Sequence, residues 1–176
     1  TVDSPEFEAF IRAVFVEMTS KAGQKCTAIR RAIVPAGMVD TVASALTERL
    51  AAKVVPGDPR DPDATMGPLV SVEQREDVAS AVEKLVAAGG KVVTGGADQL
   101  EGAFFAPTVL TFEDADADAV HDVEAFGPVV SVIGYADTED AIRLAARGRG
   151  SLVASVITHD PELAATYAHS IGAYHG

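Results

Sequence analysis

The sequence carries one cysteine in 176 residues, which excludes an internal disulfide framework and suits a reducing, cytoplasmic compartment. His121, His159, His169 and His175 are scattered and have no cysteine partner. The convergent ligand set of a zinc site is therefore missing, and no metal is expected. No apolar run approaches the length needed to cross a bilayer, and no secretory signal pattern opens the chain, so no membrane partner is expected. Basic charge is also scarce: 14 Lys and Arg against 26 Asp and Glu leave a net charge of −12. Such a surface repels phosphate backbones, which argues against nucleic acid as a partner. The first residue is Thr1 rather than methionine, so an internal piece of a longer protein is expected.

What remains is a chain of ordinary domain length, 48% hydrophobic and 23% charged, enough to bury one proper core. Its charge is unevenly placed. Residues 1–50 hold six acids and six bases, so the whole −12 falls in residues 51–176. Between Met18 and Val39 there is no acid at all, only Lys21, Lys25, Arg30 and Arg31, and within that window lies Cys26. Thiols react as thiolates, and neighbouring cations favour that form. Two readings of Cys26 compete on this chemistry: a small buried apolar residue, or a reactive thiol following a glycine turn.

The pattern along the chain alternates helices and strands. Pro5–Lys21 has helical spacing through Phe7, Phe10, Ile11, Val14, Phe15 and Met18, with Ser4 as N-cap and Pro5 in the first turn. Gly23 terminates it, which puts Cys26 in the following turn. Arg30–Val34 reads as a strand and Val39–Val54 as a helix; Pro56 to Asp63 is a proline-rich loop. Ser71 caps a helix that Gly89-Gly90 stops, with Glu73 or Gln74 as the capping partner. Lys91–Thr94, Phe104–Phe112 and Phe126–Tyr135 read as extended, Thr138–Arg147 as helix, and Ser151–Thr158 as a buried strand. Asp160 caps a last helix to about Ile171, after which another strand is expected. The acidic stretch Glu113–Asp122, with His121, reads as a solvated loop. Together these imply an α/β domain: three layers, a largely parallel sheet and helices on both faces.

The motif Gly23-Gln24-Lys25-Cys26-Thr27 resembles the catalytic-cysteine motif of the aldehyde dehydrogenase superfamily. Further landmarks follow in the family's order. They are Val55-Pro56-Gly57-Asp58-Pro59, Met66-Gly67-Pro68-Leu69, Gly95-Gly96, Phe105-Ala106-Pro107-Thr108 and Glu124-Ala125-Phe126-Gly127-Pro128. The resemblance covers essentially all 176 residues and implies a truncated catalytic domain, residues 1–176, without its cofactor-binding domain.

It also implies roles. Cys26 would be the nucleophile that adds to an aldehyde carbonyl, passes through a thiohemiacetal and leaves a thioester for hydrolysis. Glu124 would bind the ribose hydroxyls of NADP or NAD, and Phe126 would pack beside the nicotinamide. Without the motif, Glu124 reads as one more surface acid and Phe126 as a core residue. The family's general-base glutamate, its second oxyanion donor (an asparagine) and its main nucleotide site lie upstream. Glu6, Glu8 and Glu17 do not match the base, and the sequence contains no asparagine. The isolated piece is therefore expected to be inactive, and the full-length protein to be a homo-oligomer.

The stretch Arg147-Gly148-Arg149-Gly150-Ser151-Leu152 and the run Lys21–Arg31 are similar to the dehydrogenase part of the bifunctional ring-opening enzymes of bacterial phenylacetate degradation, which carry a C-terminal hydratase-like domain. That likeness implies a CoA-linked semialdehyde as substrate, oxidised with NADP. The alternatives are an ordinary aliphatic semialdehyde, or a non-catalytic module that lacks base and cofactor site. Arg30 and Arg31 are read either as substrate contacts or as residues facing solvent or acids.

Overall fold

The computed structural model describes residues 2–96 and 100–174, and His175 lies outside them. Helix α1 spans Pro5–Thr19. Ser4 Oγ accepts from the Phe7 N–H at 3.2 Å, satisfying one of the orphan donors of the first turn. Strand β1 is Arg31–Pro35 and α2 is Val39–Lys53. Helix α3, Val72–Ala87, starts where Ser71 accepts from the Gln74 N–H. Strands β2 (Lys91–Gly96) and β3 (Ala106–Phe112) follow, then α4 (Asp118–Asp122), β4 (Val129–Tyr135), α5 (Thr138–Ala146) and α6 (Pro161–Ile171).

The four strands form one sheet in the order β1-β4-β3-β2. β4 runs parallel to β1, with Ala32 opposite Val132, and parallel to β3, with Val109 opposite Val130. Only the edge strand β2 is antiparallel. Alternation along β4 separates two cores. Val130 and Val132 meet Ile11, Val14, Met18 and Leu46 of α1 and α2. Val129 and Ile133 meet Val78, Val82, Leu85 and Leu144 of α3 and α5. Helices on both faces are what a parallel sheet requires, because its strands are buried on both sides. The expected three-layer α/β architecture is therefore present.

Two expectations fail. Residues 151–158 carry no regular structure, and Leu152, Val153 and Val156 are exposed rather than buried. An apolar run becomes a strand only when a partner satisfies its backbone. Among the described residues, Leu152–Thr158 find no such ladder; they and residues of β1 line one cavity. The second failure is the acidic stretch. It is not a plain loop, because α4 forms inside it and buries Val120 and His121. The polar sequence hides a helix whose stability comes from packing rather than from propensity.

Candidate active site

The chain leaves α1 through an unusual turn. Residues Ser20–Gly23 form a short 3-10 segment in which Lys21 (φ 54°), Ala22 (φ 51°) and Gly23 (φ 70°) are all left-handed. Gln24 follows at φ −81°, ψ 64°, an inverse γ-turn closed by the Lys25 N–H donating to the Gly23 carbonyl at 2.9 Å. This sequence of turns lifts Cys26 out of the packed layer: it is a free, exposed thiol. Among the described residues its backbone N–H has no hydrogen-bond partner. Gly23 presses against the loop before β4, where an added Cβ would sit 2.1 Å from the Gly127 carbonyl oxygen.

That second loop carries Glu124 and Phe126. Phe126 is held at φ 47° and is 41% exposed, unlike the core phenylalanine Phe105. Glu124 is exposed and makes no ion pair or hydrogen bond among the described residues. Cys26, Glu124 and Phe126 all line one cavity of about 640 Å³, which continues along β1 to residues 151–158. The structure thus brings together the three residues singled out from the sequence. The volume lies within the range of small-molecule sites.

The basic window, in contrast, does not converge on the thiol. Lys25 Nζ pairs with Glu17 at 2.8 Å. Arg30 donates to Ser151 Oγ at 3.0 Å and to the Gly148 carbonyl at 3.3 Å. Arg31 is turned inward, donating to the Leu144 carbonyl at 2.9 Å and to His121 Nδ1 at 2.8 Å. Burial, with help from Arg30 and Arg147, pulls the Arg31 guanidinium down to about 10, so it stays charged at neutral pH. These cations pin loop and helix ends, and a clustering visible in the sequence is dispersed by the fold. The acids of α1 are equally occupied: Glu8 bonds Arg49 at 2.6 Å and Glu6 pairs with His159. Hydrogen bonding to its own backbone and to His159 holds the Glu6 carboxyl below its usual range, which suits an acceptor and not a general base.

His121 was invisible as a partner of Arg31 because 90 residues separate them. Its Nε2–H donates to the Ala115 carbonyl at 2.8 Å, which leaves Nδ1 to accept from Arg31. Protonation would set a second N–H against the guanidinium. The imidazole is accordingly held below its ordinary range, by burial first. Arg147 and Arg31 add to that effect, while the Ala115 bond and Asp116 oppose it. The unfolded chain therefore takes up this proton first. The stability involved is complete above about pH 6.5 and is lost as the pH falls through the lower folded-state value. Asp116, held low chiefly by Arg143, titrates below that window. Urea midpoints are expected to fall between about pH 7 and pH 5, and His121→Gln to flatten that slope. An unchanged slope in the variant overturns the assignment.

The surroundings of Cys26 can be set beside known proteins. The 3,4-dehydroadipyl-CoA semialdehyde dehydrogenase of Aromatoleum evansii is 42% identical over 98% of this chain and 35% of its own length. The NADP(+)-dependent succinate-semialdehyde dehydrogenase of Deinococcus radiodurans is 34% identical over 90% of this chain and 33% of its own length. Among solved structures, a point mutant of betaine aldehyde dehydrogenase from Staphylococcus aureus, in complex with NAD+ and with a BME-modified cysteine, superposes with a TM-score of 0.86. It is 30% identical, over 96% of this chain and 35% of that one. The chain thus spans about a third of the length of the curated relatives it matches. The aldehyde dehydrogenase family profile runs from residue 2 to residue 174, across both loops that meet at Gly23 and Gly127, and the chain belongs to that family.

Proposed function

We propose that Cys26 is the nucleophile of an NAD(P)-dependent aldehyde dehydrogenase that oxidises a CoA-linked semialdehyde to the acid. The observation that carries this reading is one cavity lined by an exposed free thiol, a carboxylate with no partner among the described residues and an exposed aromatic ring. Cys26 Sγ adds to the carbonyl carbon, and the unpartnered Cys26 N–H is a donor for the oxygen that becomes negative. The resulting thiohemiacetal on Cys26 is oxidised to a thioester, which water cleaves.

The residues present fit part of a nicotinamide dinucleotide. Glu124, which no side chain among the described residues engages, would accept from two ribose hydroxyls, and the exposed face of Phe126 would orient a planar ring. When bound, that cofactor supplies the hydride acceptor. The general base and the main nucleotide site belong to a cofactor-binding domain outside these residues, so the 176-residue chain by itself should give no hydride transfer. Aromatic degradation of the phenylacetate type, a cytoplasmic location and a homo-oligomeric full-length enzyme complete the proposal. The identity of 42% to a CoA-semialdehyde dehydrogenase supports the substrate class, and a free aliphatic semialdehyde is the second reading, favoured by the relative at 34%.

The two separate by kcat/KM of the full-length enzyme on matched substrates, a CoA-linked semialdehyde and its free counterpart. A preference of at least about tenfold for the CoA ester is expected, since binding energy from the remote carrier is expressed at the reacting carbon. Equal values would establish the second reading instead.

A further inference from the structure

Two glutamine side chains tether the loops that carry Cys26 and Phe126, and both tethers run to the start of α3. Gln24 Oε1 accepts from the Val70 N–H at 2.9 Å, and its Nε2 donates to the Lys21 carbonyl at 3.0 Å. The amide has one orientation, because Val70 offers only a donor and Lys21 only an acceptor. Gln74 Nε2 donates to the Phe126 carbonyl at 3.3 Å. Ser71, which caps α3, accepts from the Gln74 N–H at 3.0 Å. Val70, Ser71 and Gln74 are thus one short bracket, and Val78 one turn further on lies against Gly127, where an added Cβ would come within 2.7 Å of it.

The tethered segments hold three of the four non-glycine residues with positive φ among the described residues, the fourth being Arg149. Lys21, Ala22 and Phe126 are non-glycine residues with positive φ, a region L-residues avoid and occupy only when the surroundings over-determine it. Each glutamine bonds a carbonyl at such a residue, Lys21 in one case and Phe126 in the other. An amide of fixed length at each loop, anchored on one helix end, sets the distance between the loops.

We propose that Gln24 and Gln74 are positioning residues that fix the separation of the Cys26 thiol from the Phe126 ring, and with it the approach of the bound substrate carbon to the hydride acceptor. This rests on the reading of Cys26 as the nucleophile. Neither glutamine touches the reacting atoms. Their effect is on alignment, where a displacement of about 1 Å costs on the order of 10²-fold in rate.

The test uses the full-length dehydrogenase with Gln24→Met, Gln74→Met, Gln24→Glu and Cys26→Ser. Three quantities are measured: the single-turnover rate of reduced nicotinamide formation, the isotope effect with aldehyde deuterated at the carbonyl carbon, and the fraction of Cys26 that iodoacetamide labels. Gln24→Met is expected to slow hydride transfer by about 10²-fold at unchanged KM, with a full primary isotope effect and full labelling. Gln74→Met, which leaves the turn after α1 intact, should show the same signature. Gln24→Glu keeps the acceptor for Val70 but sets a second carboxylate oxygen, in place of the Nε2 donor, against the Lys21 carbonyl, and should be as slow as Gln24→Met. A rate that falls only in proportion to the labelled fraction overturns the proposal as mere loss of folded protein, and a Gln24→Glu that keeps the parental rate overturns the part played by the Lys21 bond. If Cys26→Ser still turns over, the nucleophile reading fails and this one falls with it. If Cys26→Ser is inactive while both methionine variants turn over normally, positioning alone is refuted.

Discussion

In the full-length enzyme proposed above, Cys26→Ser is expected to lower kcat/KM for aldehyde oxidation by about 10⁴-fold or more, the scale on which removal of a covalent nucleophile acts. The reason is chemical. A serine hydroxyl at neutral pH holds almost no alkoxide, and the adjacent cations offer no remedy, because Lys25 is paired with Glu17 and Arg31 with His121 and main-chain carbonyls. The fold should be unaffected. Cys26 is exposed, and such surface substitutions fall within about 0.5 kcal/mol, so the urea midpoint should stay in place while activity disappears. Because the 176-residue chain has one cysteine, alkylation of that chain followed by mass measurement reports on this site alone: one adduct in the parent, none in the variant. A Cys26→Ser enzyme with more than a few per cent of parental turnover would leave another group as the nucleophile.

Gly23→Ala is expected to produce the largest loss of stability of any single methyl addition near the site. At φ 70° a Cβ costs on the order of 1 kcal/mol in backbone strain alone. It also has nowhere to go: it would meet the Gly127 oxygen at 2.1 Å, its carbon at 2.5 Å and the Pro128 nitrogen at 2.9 Å. Those are backbone atoms leading into β4, a strand at the middle of the sheet, so relief requires the two loops to part. A destabilisation of about 3 kcal/mol or more follows, read as a lower urea midpoint at unchanged slope. Gly37→Ala is the control, since nothing lies within 4 Å of its added Cβ, and it should be nearly neutral. Comparable midpoints for the two variants would show that the loops do not approach as closely as described.

Legibility differed from element to element for physical reasons. The α1 boundary was readable to within two residues because Ser4, Pro5 and the first-turn acids act locally on the backbone they cap. The extents of α2 and α3 also followed closely, since the expected Val39–Val54 helix and the Ser71 cap match Val39–Lys53 and Val72–Ala87. Residues 151–158 misled, because the apolar pattern of a strand says nothing about whether a ladder partner exists. His121 misled for the opposite reason: in an acidic stretch it looked solvated, yet it is buried against an arginine from β1. The cluster of cations around Cys26 suggested an activated thiol, but chain proximity does not direct long side chains: Lys25, Arg30 and Arg31 each bond a group elsewhere.

By itself the sequence determined the fold class, most of the helices and strands and the positions of Cys26, Glu124 and Phe126 in recognisable motifs, because capping, periodicity and motif spacing are local properties of a chain. The tertiary structure alone decided that Gly23 packs on Gly127, that Gln24 and Gln74 bracket the two loops from α3, and that Cys26, Glu124 and Phe126 share a cavity. Those facts join residues about 50 to 100 positions apart. They arise only when the sheet brings α3, the turn after α1 and the approach to β4 to one place, and no local rule of spacing encodes that convergence.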